Sequence, residues 1–182
     1  MTTAMELQDQ GIKLYHQHDY EAAARLFQQA QESYSDDNKH DMAAEMQVNI
    51  GLVHRALGEH QQALDIMQQA LRTFQELNDP SRTAQVLGNL GGVYLELGDK
   101  EQAYNCYRQA ADIFQDLGEK EKYGKTLIAM GALQVRDGKI WSGAATYEVG
   151  LENLDKLSAS QRILKGLLGI RNRLTGTGGK SS

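Results

Sequence analysis

Apolar residues recur at three- and four-residue steps along most of the chain, which is the spacing of an amphipathic helix. In residues 84–97 this apolar face consists of Ala84, Val86, Leu87, Leu90, Val93, Tyr94 and Leu97. Gly98 and Asp99 interrupt it, because glycine ends helices and aspartate caps the helix that follows. A second apolar face runs from Ala103 to Leu117, and Gly118 ends it. The sequence therefore predicts pairs of helices.

The helix pairs repeat every forty residues, a period typical of repeat proteins. The small residues that recur in register are Gly11, Gly51, Gly91 and Gly131; Ala23, Ala63, Ala103 and Gly143; and Ala30, Ala70, Ala110 and Gly150. A helical glycine costs about 1 kcal/mol relative to alanine, so we infer that close helix packing requires it. These twelve residues are the predicted structural positions of the repeat.

Breaks between the helices divide the chain into predicted units. The break at Gly98 also occurs at Gly58 and Gly138, and in variant form at His18. Longer connections are expected at 35–40, 78–80 and 118–120, where Pro80 can start a helix. We predict four repeats in residues 1–156, at about 1–37, 41–79, 81–119 and 121–156. A C-terminal helix at 157–174 and a disordered tail at 175–182 follow.

The predicted C-terminal helix carries an apolar stripe and an excess of positive charge. The stripe consists of Ile163, Leu164, Leu167, Leu168, Ile170 and Leu174. Residues 157–182 contain five basic residues and no acidic residue, whereas the first 156 residues carry a net charge of −10. We expect this helix to cap the fourth repeat. The alternatives are an anionic membrane surface and a partner protein. Trp141 is expected to pack beneath this helix, the alternative being an exposed aromatic anchor.

Composition and charge narrow the classes of function. A net charge of −5 argues against a nucleic-acid partner, because that binding needs a basic stripe. The single cysteine, Cys106, excludes an internal disulfide, and we expect it to be a small buried side chain. The chain starts without the basic and apolar regions of a signal peptide, and it has no apolar stretch of about 18 residues. We therefore expect a soluble, cytoplasmic protein.

Motifs for catalysis or cofactor binding do not stand out. The histidines, at positions 16, 18, 40, 54 and 60, are not spaced with cysteines or acids as zinc ligands. The segment 176–181 contains a Gly-Lys-Ser sequence, but the first glycine of a phosphate-binding loop would fall at Leu174. We expect no catalytic residue, no metal and no cofactor.

The repeat resembles the tetratricopeptide repeat, whose pattern is Asn-Leu-Gly-x-x-Tyr, then Gly-Asp, then alanine, an aromatic residue and alanine. The residues at these spacings in the third repeat are Asn89, Leu90, Gly91, Tyr94, Gly98, Asp99, Ala103, Tyr107 and Ala110. The forty-residue period, longer than the usual 34, is similar to that of Pins/LGN-type polarity adaptors, kinesin light chains and bacterial Rap-type regulators. It indicates either longer helices or longer connections.

This resemblance implies an all-α, right-handed superhelical solenoid of four helix-turn-helix units with a C-terminal capping helix. In this family the first helix of each repeat lines a concave groove that binds peptides. The corresponding positions here are Asp9, Tyr15, Glu45, Asn49, Leu52, Arg55, Gln85, Asn89, Gly92, Glu96, Lys125 and Arg136. Asn49 and Asn89 could pair with a peptide backbone, because an amide both donates and accepts. The alternative is that they bond only to neighbouring helices or water.

The sequence thus predicts a non-enzymatic adaptor that binds another protein or an extended peptide. Arg55 and Arg136 are candidates for contacts with an acidic partner. A clamp for acidic C-terminal tails is not expected, because lysine or arginine is missing beside the asparagines. The alternative function is an assembly module that self-associates or attaches to a membrane through its C-terminal helix. We expect a monomer or weak homodimer, with membrane contact as the less favoured interpretation.

Overall fold

The computed structural model describes the backbone of residues 2–175 and the side chains up to residue 168. Within these residues the chain forms nine helices and no strand. They are α1 (Ala4–His16), α2 (Tyr20–Asp36), α3 (His40–Ala56), α4 (His60–Glu76), α5 (Pro80–Glu96), α6 (Lys100–Asp116), α7 (Lys120–Arg136), α8 (Ile140–Glu152) and α9 (Ala159–Thr175). The all-α prediction is confirmed. Residues 176–182 of the predicted tail lie outside the described residues.

The helices belong to two compact units, Met1–Cys106 and Tyr107–Ser182. In the first unit, α1 to α4 each pack against the next helix, and α3 also contacts α5. In the second, α7 packs against α8, and α8 contacts α9. Both units therefore contain the helix-turn-helix pairs that the sequence predicts.

Longer helices, rather than longer connections, account for the forty-residue period. Helices α2 to α7 each contain 17 residues. Three residues separate each of them from the next, whether or not the two helices belong to one repeat. The prediction of longer connections at 35–40, 78–80 and 118–120 was therefore wrong. Residues 35, 36 and 40 belong to α2 and α3, Pro80 begins α5, and Lys120 begins α7.

The same turn ends every helix from α1 to α7. Each turn contains one residue with a positive φ, and successive ones are twenty residues apart: His18 (64°), Asn38 (56°), Gly58 (80°), Asn78 (53°), Gly98 (86°), Gly118 (69°) and Gly138 (79°). The next N–H donates to the carbonyl five residues earlier, as from Asp19 to Leu14 at 3.0 Å and from Asp99 to Tyr94 at 2.9 Å. This is the Schellman motif. Because it ends both helices of a repeat, the repeat consists of two similar halves.

Aspartate side chains cap three of the helices that follow these turns. Asp19, Asp79 and Asp99 each accept a hydrogen bond from the backbone N–H three residues later, at 3.2, 2.9 and 3.0 Å. Pro80 is the first residue of α5, as the sequence predicts. By contrast, Glu59 and Lys139 make no side-chain cap bond. The turn is thus the constant feature of the boundary, and the cap is variable.

The small residues that recur in register are all buried. A Cβ atom placed on Gly11 would lie 2.7 Å from the ring of Phe27, and one on Gly51 would lie 2.6 Å from Cγ of Met67. In the fourth repeat the neighbouring atom belongs to the backbone, because a Cβ on Gly131 would lie 2.7 Å from the carbonyl oxygen of Gly143. These glycines therefore stand where neighbouring helices leave no room for a side chain.

Trp141 does not pack beneath the terminal helix, so that expectation was wrong. Its side chain is 70% exposed at the start of α8. Gly143 faces α7, and two residues correspond to about 200° of helix rotation, so Trp141 points away from α7. On α9 the apolar side chains of Ile163 and Leu167 are 67% and 58% exposed. No helix in the described part of the chain is long and apolar enough to cross a membrane.

Cys106 is buried, as expected. Burial raises the pKa of its thiol to about 11, and the nearby carboxylate of Asp99 adds to the effect. The thiol is therefore protonated at neutral pH and is a poor nucleophile.

Candidate functional site

A pocket of about 360 Å³ lies between α3 and α5 in the unit Met1–Cys106. Its lining residues are Glu45, Val48, Asn49 and Leu52 of α3, Phe74 of α4, and Arg82, Gln85, Val86 and Asn89 of α5. We call it the α3–α5 pocket. Five of the residues predicted for peptide binding, Glu45, Asn49, Leu52, Gln85 and Asn89, line this one cavity.

Asn49 and Asn89 occupy equivalent positions of consecutive repeats and are both partly buried in the pocket wall. Neither side-chain amide makes a hydrogen bond to another residue in the described part of the chain. Polar groups that are partly withdrawn from water normally find a partner. The open alternative in which the amides bond to neighbouring helices therefore does not occur here, and both amides remain available to water or a ligand.

Glu45 is positioned by a chain of hydrogen bonds from the first repeat. The Tyr34 hydroxyl donates to Gln8 Oε1 at 2.9 Å, and Gln8 Nε2 donates to Glu45 Oε1 at 3.2 Å. Burial raises the pKa of Tyr34, and the negative charges of Glu45 and Asp9 raise it further. Helices α1 and α2 thus orient a carboxylate that lines a pocket between α3 and α5.

Arg82, which the sequence analysis did not select, is the cation of the pocket. Its Nε donates to Asp79 Oδ2 at 2.7 Å, and both terminal nitrogens donate to Asp41 Oδ2 at 3.2 Å. Its guanidinium also lies 5.1 Å from the centre of the Phe74 ring and 3.9 Å from Glu45 Oε2. Although burial lowers the pKa of Arg82, its hydrogen bonds to Asp79 and Asp41 raise it overall.

A periodic signal for Arg82 was present in the sequence. Lys122 follows Phe114 by eight residues, as Arg82 follows Phe74. In its own unit, Lys122 lies 5.6 Å from the centre of the Phe114 ring and 2.6 Å from Glu119. Since the pattern of cation, aromatic residue and acid repeats every forty residues, it could have identified Arg82.

Arg55, Glu96 and Gly92 form a separate ion-pair cluster near the C-terminal ends of α3 and α5. Arg55 donates to Glu96 through Nε at 2.9 and 3.0 Å and through a terminal nitrogen at 2.7 Å. His60 Nδ1 lies 3.3 Å from the same carboxylate. A Cβ on Gly92 would lie 2.8 Å from the Arg55 guanidinium carbon. The space at Gly92 is therefore taken by Arg55.

The remaining predicted positions lie away from the α3–α5 pocket lining. Asp9 is exposed on α1. Tyr15 packs edge to face against Tyr20 at 5.5 Å, and burial and Tyr20 raise its pKa while Arg55 lowers it. Lys125 and Arg136 belong to the unit Tyr107–Ser182, where both are exposed and Lys125 pairs with Glu121 at 2.7 Å.

A second pocket of about 360 Å³ lies among α2, α3 and α4. Its lining residues are Gln31, Ser35, His40, Ala43, Ala44, Gln47, Thr73, Glu76 and Leu77. None of them was predicted to bind a peptide. Gln31 and Gln47 are not at equivalent repeat positions, so this pocket offers no periodic pair of amides.

Nothing in the described residues assembles the three or more histidine, cysteine or acidic side chains that a metal site needs. His54 Nδ1 lies 2.6 Å from Glu59 Oε2, an ordinary pair across the turn between α3 and α4.

The fold and the pocket together describe a repeat protein built from helix-turn-helix pairs. The sequence profile of the tetratricopeptide repeat family matches residues 42–116 and 82–156, and these ranges together span more than half of the chain. The chain belongs to the tetratricopeptide repeat family. A search of curated proteins finds no match.

Two crystal structures show the same fold. BtubC (BKLC) from P. vanneervenii has a TM-score of 0.66 at 19% identity, with 98% of this chain aligned to 66% of that protein. Aspartyl phosphate phosphatase F from Bacillus subtilis has a TM-score of 0.81 at 15% identity, with 95% of this chain aligned to 48% of that protein. The chain thus spans less than two thirds of the length of either. Tetratricopeptide repeats generally bind other proteins or peptides, and the recurring residues of this chain fit that class.

Proposed function

We propose that this protein is a non-enzymatic adaptor that binds an extended segment of a partner protein in the α3–α5 pocket. The observation that carries the proposal is the pair Asn49 and Asn89. Both amides line one pocket, and neither bonds to another residue of the described chain. The repeat places equivalent side chains on adjacent helices, about 8–10 Å apart between helix axes. About three residues of an extended peptide span that distance.

An asparagine amide fits this role because it can both donate and accept. Each side chain can pair with one N–H and one carbonyl of a peptide backbone, which fixes the register without selecting a side chain. The pocket lining beside the two amides also includes apolar side chains, those of Val48, Leu52 and Val86. The pocket therefore suits a backbone held by two amides, with its side chains selected by the neighbouring residues.

Selection from a phage-displayed peptide library on the wild-type protein tests this proposal. The selected peptides are then titrated by calorimetry against wild type and the double variant N49A/N89A. We expect affinity to fall at least about tenfold, because several hydrogen bonds of roughly 1 kcal/mol each are lost. The circular dichroism spectrum and melting temperature should remain close to those of wild type, since neither amide bonds to another residue of the described chain.

The matched control is Q31A/Q47A, which removes two partly buried amides from the second pocket of about equal volume. Affinity should stay within about twofold of wild type. Equal affinities for wild type and N49A/N89A would contradict the proposal. A loss confined to Q31A/Q47A would place the binding site among α2, α3 and α4.

A second candidate function is an assembly module that uses α9. The exposed side chains of Ile163 and Leu167 support it, because apolar residues on a basic helix favour self-association or an anionic membrane surface. Full-length protein and I163S/L167S should be compared by light scattering and by flotation with anionic vesicles. The candidate function requires that wild type form dimers or float and that the variant do neither. A monomeric wild type that does not float removes it.

A further inference from the structure

The charges around the α3–α5 pocket bear on the chemistry of its occupant. Glu45 and Arg82 line the pocket, and Arg82 is bonded to Asp79 and Asp41. Three carboxylates are thus gathered around a single guanidinium. Arg82 lies 3.9 Å from Glu45 but donates its short hydrogen bonds to the two aspartates. These four side chains together leave an excess of negative charge at the pocket.

The excess extends toward the first repeat. Asp9 occupies on α1 the register that Asn49 occupies on α3, and it is exposed. Its charge and that of Glu45 both raise the pKa of Tyr34, so both carboxylates lie near the Tyr34 hydroxyl. In the described residues Asp9 makes no ion pair.

Arg55 is the one cation among the predicted groove residues of this unit, and its charge is neutralised within the protein. Arg55 binds Glu96 through two nitrogens and rests against Gly92, so its charge is matched within the protein. Residues 1–106 contain seven lysine and arginine residues against sixteen aspartate and glutamate residues, a net charge of −9. Both the local and the wider field therefore attract a positive charge to this unit.

We propose that the segment bound in the α3–α5 pocket is a basic one, with a lysine or arginine side chain directed at Glu45 while Asn49 and Asn89 hold the backbone. The inference rests on the proposed function and adds the partner's charge to it. The cavity with its two available amides defines the site, and the carboxylates decide between possible occupants. Charge complementarity of this kind mainly supplies specificity and speeds association. An acidic segment, which Arg55 and Arg136 suggested from the sequence, would meet the excess negative charge.

Three pools of fluorescein-labelled peptides test the charge of the occupant. All are about nine residues long, roughly 30 Å when extended, and are degenerate in uncharged amino acids. The pools differ at two fixed central positions. These positions hold lysine and arginine in the basic pool, two glutamates in the acidic pool and two glutamines in the glutamine pool. Anisotropy titrations measure each pool against wild type, N49A/N89A, Glu45→Gln and Asp65→Asn. Asp65 is exposed on α4 and bonds to Gln61, so its variant removes one negative charge away from the pocket.

The basic pool should bind most tightly to wild type, and added salt should weaken it. Glu45→Gln should weaken the basic pool about threefold to tenfold more than it weakens the glutamine pool. Asp65→Asn should change neither pool, while N49A/N89A should weaken both.

Preference for the acidic or the glutamine pool, with loss of binding in N49A/N89A, would overturn the basic partner and leave the proposed function standing. Equal loss in Glu45→Gln and Asp65→Asn would also overturn it, because net charge alone would then explain the preference. Failure of every pool to bind would overturn both proposals. Melting curves of all four proteins establish that each variant is folded.

Discussion

Glycines in this chain occupy three different environments. Gly131 lies against the backbone of α8, where a Cβ would come within 2.7 Å of the Gly143 oxygen and 2.8 Å of the Tyr147 nitrogen. Gly88 also lies inside a helix, but a Cβ added there would have no neighbouring atom within 4 Å. Gly58 lies in a turn with a φ of 80°. The sequence presents all three simply as glycine.

Alanine should therefore have opposite effects at two helical glycines. Gly131→Ala forces two backbones apart and should lower the free energy of unfolding by about 1–3 kcal/mol. Gly88→Ala meets no atom and should raise it by about 0.5–1 kcal/mol, because alanine is the better helix former. Urea unfolding followed by circular dichroism measures both changes. Similar changes at the two positions would show that helix propensity, rather than close packing, explains the recurring glycines.

Cys106 should make stability depend on pH in the alkaline range. Its thiol ionises near 9 in the unfolded chain but only at about 11 in the folded one. Between these values the folded state binds more protons, so the free energy of unfolding should fall as pH rises from about 9 to about 11. The stabilising contribution is fully present below 9.

Urea unfolding of wild type and Cys106→Ala at a series of pH values measures this effect. The difference between the two proteins should be constant below pH 9 and change above it. A difference that stays constant up to about pH 11 would contradict the assignment.

At the scale of the element, the turn with a positive φ determines where each helix ends. It recurs every twenty residues, with glycine at four positions and with His18, Asn38 and Asn78 at the other three. Asparagine and histidine are among the residues that adopt this conformation most readily, so the sequence varies while the backbone does not. This explains why the His18 break looked like a variant in the sequence and yet forms the same motif.

Gly58→Ala should destabilise the turn between α3 and α4 through backbone strain alone. No atom lies within 4 Å of the new Cβ, so the expected loss of about 1–2 kcal/mol comes from the left-handed conformation. Gly58→Asn should lose less, because Asn38 and Asn78 already adopt this conformation. Thermal unfolding of the two variants measures the difference. Equal melting temperatures for the alanine and asparagine variants would argue against strain as the cause.

At the scale of the whole molecule, burial is unequal among helices of the same kind. In the unit Met1–Cys106, α3 packs against α2, α4 and α5 and buries six residues, including Met46 and Ile50. Helix α1 buries only Ala4 and Gly11. Since each helix of a repeat protein is stabilised by its neighbours, local opening should be easier at α1.

Hydrogen exchange should show this difference. We expect amides in the middle of α1 to exchange at least about tenfold faster than those in the middle of α3, because less apolar surface is exposed when α1 opens. Exchange followed by mass spectrometry compares the two helices within one sample. Equal protection would mean that the unit opens as a single cooperative body.

Much of the fold was predictable because its determinants are local and periodic. The apolar spacing, the glycine and aspartate breaks and the forty-residue registers predicted the helices, their pairing and the buried positions. The connections were misjudged because polar residues near helix ends, as at 35–40, resemble a loop in the sequence. Trp141 was misjudged because a shift of two residues along a helix turns a side chain to the opposite face. Which face is buried depends on the helix against which α8 packs.

The sequence by itself determined the all-α repeat and the amide pair Asn49 and Asn89, since both follow from residues that recur in register. Only the tertiary structure decided how the charged residues are partnered. Arg55 could have faced a ligand, but it reaches Glu96 across 41 positions of sequence, and Arg82 reaches Asp41 across the same interval. Long charged side chains have several partners within reach, and their choice depends on distances between helices that no periodic pattern contains.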